Sequence, residues 1–153
     1  MNKVKIDWTN FITDCNKLAD RIKNYNDTVI EKITDIFSIA RGGGIPSEIV
    51  AYKCGINNIC SIGMSYYDLN NNRLDVPIIY QDVPTNLQTK KILIVDEICD
   101  SGSTFVYITQ KIKEHGCLSV GTACVYRKKG SMFLPDIYIQ EVPKDEWLVM
   151  PYD

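Results

Sequence analysis

The run Ile92-Leu93-Ile94-Val95-Asp96-Glu97-Ile98-Cys99-Asp100-Ser101-Gly102-Ser103-Thr104 narrows the architecture open to this chain more than any other feature. Four branched apolar residues without a charge read as a central parallel strand covered on both faces. Apolar periodicity resumes at Phe105, Ile108 and Ile112 and stops at His115-Gly116, so the next element is a helix with a glycine C-cap. The helix therefore begins at Ser101 to Thr104. Unpaired N–H groups, hydroxyls and the positive helix end there suit a phosphate dianion, and Gly102 lets the backbone approach it. Asp96, Glu97 and Asp100 fall at the carboxyl end of the strand, where open α/β sheets bind ligands. The Gly-Lys-Ser/Thr of a Walker loop is missing, and a dinucleotide fingerprint carries no acids inside its loop.

The rest of the chain repeats the theme. Trp8, Phe11, Ile12, Cys15, Leu18, Ala19 and Ile22 recur at helical spacing, which predicts an amphipathic helix over 7–24. Ile36 to Ala40 reads as a strand, followed by Arg41-Gly42-Gly43-Gly44 and a helix with Pro46 in its first turn. A further strand is expected at Ile59 to Tyr66. The span 67–89 is rich in Asn, Asp, Pro and Gln and reads as a long mobile loop or a β-hairpin, with the length of a lid. Strands follow at Leu118–Tyr126, around Ile137–Ile139 and at Trp147–Met150. Strands alternating with helices and ending in a tail of strands give an α/β fold with a mostly parallel sheet. At 153 residues this is one domain.

A formal charge of −2 gives no general attraction for nucleic acid, and the one dense basic cluster is Arg127-Lys128-Lys129. The six cysteines form no CxxC pair and read as reduced thiols of a cytoplasmic protein. No apolar run reaches the roughly 20 residues of a membrane span, and no signal-peptide core is seen. His115 reads as a helix C-terminal cation.

The 92–104 run resembles the signature of the type I phosphoribosyltransferases, a hydrophobic strand, two acids, two residues and Asp-Thr-Gly-x-Thr, here with Ser101 for the usual Thr. IARGGGIPSEIVA at 39–51, SYYDLNNNR at 65–73, YRKKG at 126–130 and WLVMPYD at 147–153 match in order, and the chain is most similar to the xanthine-guanine branch. The resemblance implies a single domain over 1–153, with a flexible lid loop at about 65–89 and a C-terminal base-binding hood at about 127–153.

It implies transfer of phosphoribosyl from 5-phospho-α-D-ribose 1-diphosphate (PRPP) to a 6-oxopurine, with Mg²⁺ held indirectly through PRPP. Asp96 and Glu97 would serve the ribose and the metal. Asp100, Ser101, Gly102, Ser103 and Thr104 would hold the 5′-phosphate, with Asp100 the catalytic base. Arg41, Gly42 and Gly43 would hold pyrophosphate, with a cis bond at Ala40–Arg41. Ser65 and Tyr66 would close over the sugar. Relatives carry basic residues later in that loop, whereas 74–89 has none, which leaves Arg73 as the substitute. Lys128, rather than Lys129, would read the 6-oxo group. Trp147 would stack on the base, and the carbonyls of Trp147, Leu148 and Val149 would read its edge. A homodimer or homotetramer is implied, with Tyr66, Tyr67 and Tyr80 available as interface aromatics. The alternatives are a regulatory protein of the same fold that binds a nucleotide or RNA, and a transferase for another base.

Overall fold

The structure is a computed structural model describing residues 1–153. In chain order it comprises β1 (Asn2–Lys5), α1 (Trp8–Thr28), β2 (Asp35–Ala40), α2 (Gly44–Cys54), β3 (Asn58–Tyr67), β4 (Arg73–Gln81), β5 (Lys91–Cys99), α3 (Ser103–Glu114), β6 (Ser119–Lys128), β7 (Ile137–Val142) and β8 (Glu146–Val149). Six strands form one sheet in the order β4-β3-β2-β5-β6-β7, parallel throughout except for the antiparallel β3–β4 pair. The fold is thus α/β with a mostly parallel sheet, as the pattern predicts. β5 lies inside it, so its apolar run is covered on both faces.

Helices cover the two faces with separate cores. Phe11, Leu18 and Ile22 of α1 and Val50 of α2 pack with Leu93 and Val95 on one side. Phe105, Ile108 and Ile112 of α3 pack with Ile92, Ile94 and Ile39 on the other. Asp7 caps α1 by accepting from the Asn10 N–H at 2.7 Å, and the helix runs one turn beyond the predicted 24. Asn26 lies in that turn and holds the exit of the helix, its Oδ1 accepting from the Ile33 N–H.

The expected lid span is a hairpin. β4 returns along β3, the turn is confined to 68–72, and Asp68 closes it by accepting from the N–H groups of Asn70 and Asn72. The hood also differs from its sequence reading. β7 belongs to the main sheet, and the small separate layer is a parallel pair of β8 with β1, so both ends of the chain build it. Tyr152 fastens this layer to α1 against the rings of Trp8 and Phe11.

Candidate active site

A cleft opens at the carboxyl ends of β2 and β5, lined among others by Arg41, Gly42, Glu97, Asp100, Gly102 and Thr104. Open parallel sheets form such crevices where their crossover connections diverge. Two strand–loop–helix turns build the walls.

The first turn follows β2. The Ala40–Arg41 peptide bond is cis, and Arg41 is exposed at the rim. Gly42 and Gly43 have different reasons to be glycine. A Cβ on Gly42 would fall 1.4 Å from Glu97 Oε2, so the glutamate carboxylate occupies the space a side chain would take. A Cβ on Gly43 would stand 2.6 Å from the carbonyl oxygens of both Ile39 and Val95, so Gly43 lets the turn pack onto two strands. Its N–H donates to the Ile39 carbonyl at 2.8 Å. The Gly43 N–H expected to meet pyrophosphate is thus already engaged within the turn, and the residue packs against both strands.

The second turn follows β5. Gly102, at φ +93°, adopts the left-handed conformation that favours glycine and precedes α3. The first-turn N–H groups of α3 have no intrahelical acceptor, and the Ser103 N–H meets only the Ser101 hydroxyl at 3.3 Å. Donors and helix dipole together form a cradle for an anion. Arg73 crosses from the hairpin to this cradle, its Nη2 donating to Ser103 Oγ at 2.8 Å and its guanidinium lying 4.4 Å from the Tyr66 ring centroid. Arg73 is thus gathered into the site, at the α3 cradle rather than the glycine turn. The Ser65 hydroxyl donates to the Tyr67 carbonyl and accepts from the Tyr67 N–H, so it has no proton to offer a sugar and one acceptor site left. Tyr66 is half-buried under Arg73, unlike the exposed Tyr67 and Tyr80.

Between the turns lie the paired acids. Ile92 and Ile94 face α3 while Leu93 and Val95 face α1, yet beyond the acids Ile98 faces α1 and Cys99 faces α3. Side-chain alternation therefore slips by one residue around Asp96-Glu97, while the pairing with β6 keeps one register through the acids. Asp96 Oδ1 accepts from the Glu97 N–H, and Glu97 Oε2 is buried without a hydrogen-bond partner. Burial, with the Glu97 charge second, pushes the Asp96 carboxyl well above the usual carboxylate range, and burial raises Glu97 too. The folded protein then holds these protons more tightly than the unfolded chain. The linked stability is complete below the unfolded value of about 3.9 for Asp and declines as pH climbs toward the raised native value. Asp96→Asn removes that penalty. In scanning calorimetry of the ligand-free protein, the variant is expected to melt above wild type at pH 7.5 by about 2–4 °C per kcal/mol relieved, and to lose the difference near pH 4. A gap that does not change with pH would contradict the assignment.

The third corner joins Asp100 to the ends of β6 and β8. Lys128 Nζ stands 3.5 Å from Asp100 Oδ1 and 5.6 Å from the Trp147 ring centroid. The lysine side chain is only 7% exposed and Asp100 is 50% exposed, so the pair faces the cleft from a fixed root. Lys129 is exposed, which separates it from its neighbour. Trp147 shows a half-open face. The Val149 carbonyl accepts from the Ile6 N–H at 2.9 Å. Strand alternation turns the Leu148 carbonyl away from β1, so the expected edge-reading set narrows toward Leu148. Sequence reasoning missed Ser131, Met132 and Phe133, which support the α3 cradle from outside: the Met132 N–H donates to the Ser101 carbonyl at 2.9 Å. No motif marks them.

Fold and site together define an α/β enzyme with a cleft suited to anions between two turns, next to a corner formed by a lysine and a tryptophan. Comparison with known proteins agrees. The phosphoribosyl transferase domain family matches residues 7–152. A xanthine-guanine phosphoribosyltransferase of Vibrio atlanticus (strain LGP32) is 30% identical over 99% of this chain and 90% of its own. The crystal structure of a purine phosphoribosyltransferase from Pyrococcus horikoshii OT3 superposes with a TM-score of 0.83, at 25% identity, over 100% of this chain and 95% of that one. A hypothetical protein from Neisseria gonorrhoeae, solved with bound ppGpp, gives 0.78 at 25% identity, covering 99% and 89%. The chain belongs to the type I phosphoribosyltransferase family, close to its xanthine-guanine branch.

Gly42→Ala tests the packing at the first turn. The new methyl displaces the Glu97 carboxylate, a flexible group, so the fold is expected to survive with a near-native melting curve. Steady-state kcat/KM is expected to fall roughly 100-fold, the scale of an ångström-sized misplacement. Unchanged kinetics would mean that Glu97 has no part in the reaction.

Proposed function

We propose that this enzyme transfers the 5-phosphoribosyl group of PRPP to N9 of guanine, xanthine or hypoxanthine in the cytoplasm, forming the nucleoside 5′-monophosphate and pyrophosphate. The observation that carries the reading is the meeting of Lys128, Asp100 and Trp147 at one corner of a phosphate-binding cleft. An ammonium donates to a carbonyl and not to an amino group in the same place, which favours 6-oxopurines over adenine. The indole supplies a broad face for the ring.

The α3 cradle, with Arg73, holds the 5′-phosphate, and Arg41 with Gly42 holds the diphosphate. Asp96 and Glu97 face the ribose hydroxyls. The C1′–O bond to diphosphate breaks and the C1′–N9 bond forms, with the purine N7 proton passing to the Asp100 carboxylate. Negative charge at Glu97 favours the positive charge that develops at C1′.

The partnerless Glu97 Oε2 beside a second acid suits a hard cation. No group of three His, Cys, Asp or Glu side chains is gathered, so such a cation takes its remaining oxygens from substrate. Asp96 and Glu97 would hold Mg²⁺ there together with PRPP oxygens, and the metal would supply charge neutralisation for the diphosphate leaving group.

The test is turnover with PRPP and Mg²⁺ against guanine, xanthine, hypoxanthine, adenine and uracil. Nucleotide is expected from the oxopurines and at most traces from adenine or uracil. Faster conversion of adenine would overturn the base assignment. Light scattering is expected to give the mass of a dimer or tetramer.

A second, compatible reading concerns regulation. The related structure holding ppGpp favours occupancy of this cleft by a guanosine polyphosphate. Such a ligand fits the guanine slot and places phosphates at both turns. It is expected to inhibit competitively against PRPP, and purely noncompetitive inhibition would place it elsewhere.

A further inference from the structure

We infer that Arg127 is a positioning residue for the 5′-phosphate cradle, acting through the Ser131–Phe133 turn. The inference rests on the reading of that cradle given under the proposed function. The inner side of the Ser101-Gly102 backbone is fixed by β5 and α3. Its outer side is held only by the turn that follows β6. The Met132 N–H donates to the Ser101 carbonyl at 2.9 Å, and Ser131 Oγ lies 3.2 Å from Cys99 Sγ. Phe133 stacks on Phe105 of α3 with centroids 5.2 Å apart and planes 9° from parallel. A Cβ on Gly102 would come within 2.7 Å of Phe133 Cβ, so turn and cradle are in direct contact.

Within that turn the Ser131 N–H donates to the Lys128 carbonyl at 3.1 Å, and Arg127 engages the turn's own carbonyls. Its Nε donates to the Phe133 carbonyl and its Nη2 to the Ser131 carbonyl, both at 3.4 Å. Nη1 is tied to Glu141 Oε2 at 2.8 Å, which aims the fork. The side chain is 14% exposed and lies beside the Tyr138 ring. A planar guanidinium can donate in three directions at once, which a lysine ammonium on a flexible stem does not reproduce. The backbones of Arg127 and Lys128 both belong to the β6–β7 ladder, where Lys128 pairs with Val142, so Lys128 keeps its place when the Arg127 side-chain fork is lost. Loss of the Arg127 fork is therefore expected to loosen the phosphate cradle and leave the base slot intact.

The test compares GMP with guanosine, which lacks the phosphate, by calorimetry on wild type, Arg127→Gln and Arg127→Lys, each checked by thermal melting. Wild type is expected to bind GMP far more tightly than guanosine. Arg127→Gln is expected to weaken GMP about tenfold, the scale of one or two hydrogen bonds to a charged group, with guanosine unchanged. The KM for PRPP rises by a similar factor while that for the purine stays constant. Arg127→Lys shows the same selective loss in smaller measure, and it decides the matter if the glutamine variant does not fold. Equal weakening of both ligands, or no weakening in a folded variant, overturns the inference. If wild type itself fails to prefer GMP to guanosine, the cradle is not a phosphate site, and that failure is distinct from a failure of Arg127.

Discussion

Asp100→Asn is expected to lower the single-turnover rate roughly 10²–10⁴-fold, the usual worth of a positioned general base, while PRPP affinity stays within about twofold. The amide keeps the shape of the carboxylate and still accepts from Lys128, so the corner stays assembled. It cannot take a proton. Asp100 lies past the end of β5, half exposed to the cleft and next to a lysine whose own side chain is buried. Its carboxylate meets Lys128 rather than the α3 cradle, although Asp100 and the cradle are contiguous in sequence. A single-turnover rate unchanged in the variant would remove Asp100 from proton transfer and leave it as a partner of Lys128.

Lys128→Gln addresses the other half of the same pair. A hydrogen bond from a charged donor contributes about 1.5–3 kcal/mol, so kcat/KM for guanine is expected to fall roughly 10- to 150-fold. Preference over adenine is expected to narrow by a similar factor, because the amide can present its carbonyl to an amino group. The side chain is almost wholly buried, so the substitution also removes the cation facing Asp100. Melting curves at pH 7 separate that structural loss from the specificity change. If kcat/KM drops equally for guanine and adenine, Lys128 does not read the 6-position.

Much of this site is legible in sequence because local rules decide it. The β5 run, the Gly102 turn and the α3 periodicity are contiguous, and each requires its residue types for a reason that does not depend on the remainder of the chain. Arg41-Gly42-Gly43 is legible as a glycine turn, but the division of labour within it is not. Gly43 is set by two strand carbonyls that belong to Ile39 and Val95, one of them more than fifty positions away. β1 was invisible for the same kind of reason. Asn-Lys-Val-Lys has no alternating apolar face, and it becomes a strand only because β8 offers a parallel partner from the other end of the chain. That same pairing engages the Val149 carbonyl. The span 67–89 reads equally as a loop or a hairpin because β4, the strand that decides for the hairpin, is an edge strand with Pro77 in its middle and polar residues at its ends. The Ser131–Phe133 support carries no motif at all, since it consists of a backbone N–H, one hydroxyl and one ring face brought to the cradle by the fold.

One cleft is proposed to join a phosphoribosyl donor to an oxopurine. Incubation of the protein with hypoxanthine, PRPP and Mg²⁺, followed by quantification of both products, tests it most directly. Inosine 5′-monophosphate and pyrophosphate are expected in equal amounts, both dependent on the added base. Pyrophosphate without nucleotide, or no product from hypoxanthine, guanine or xanthine, would contradict it.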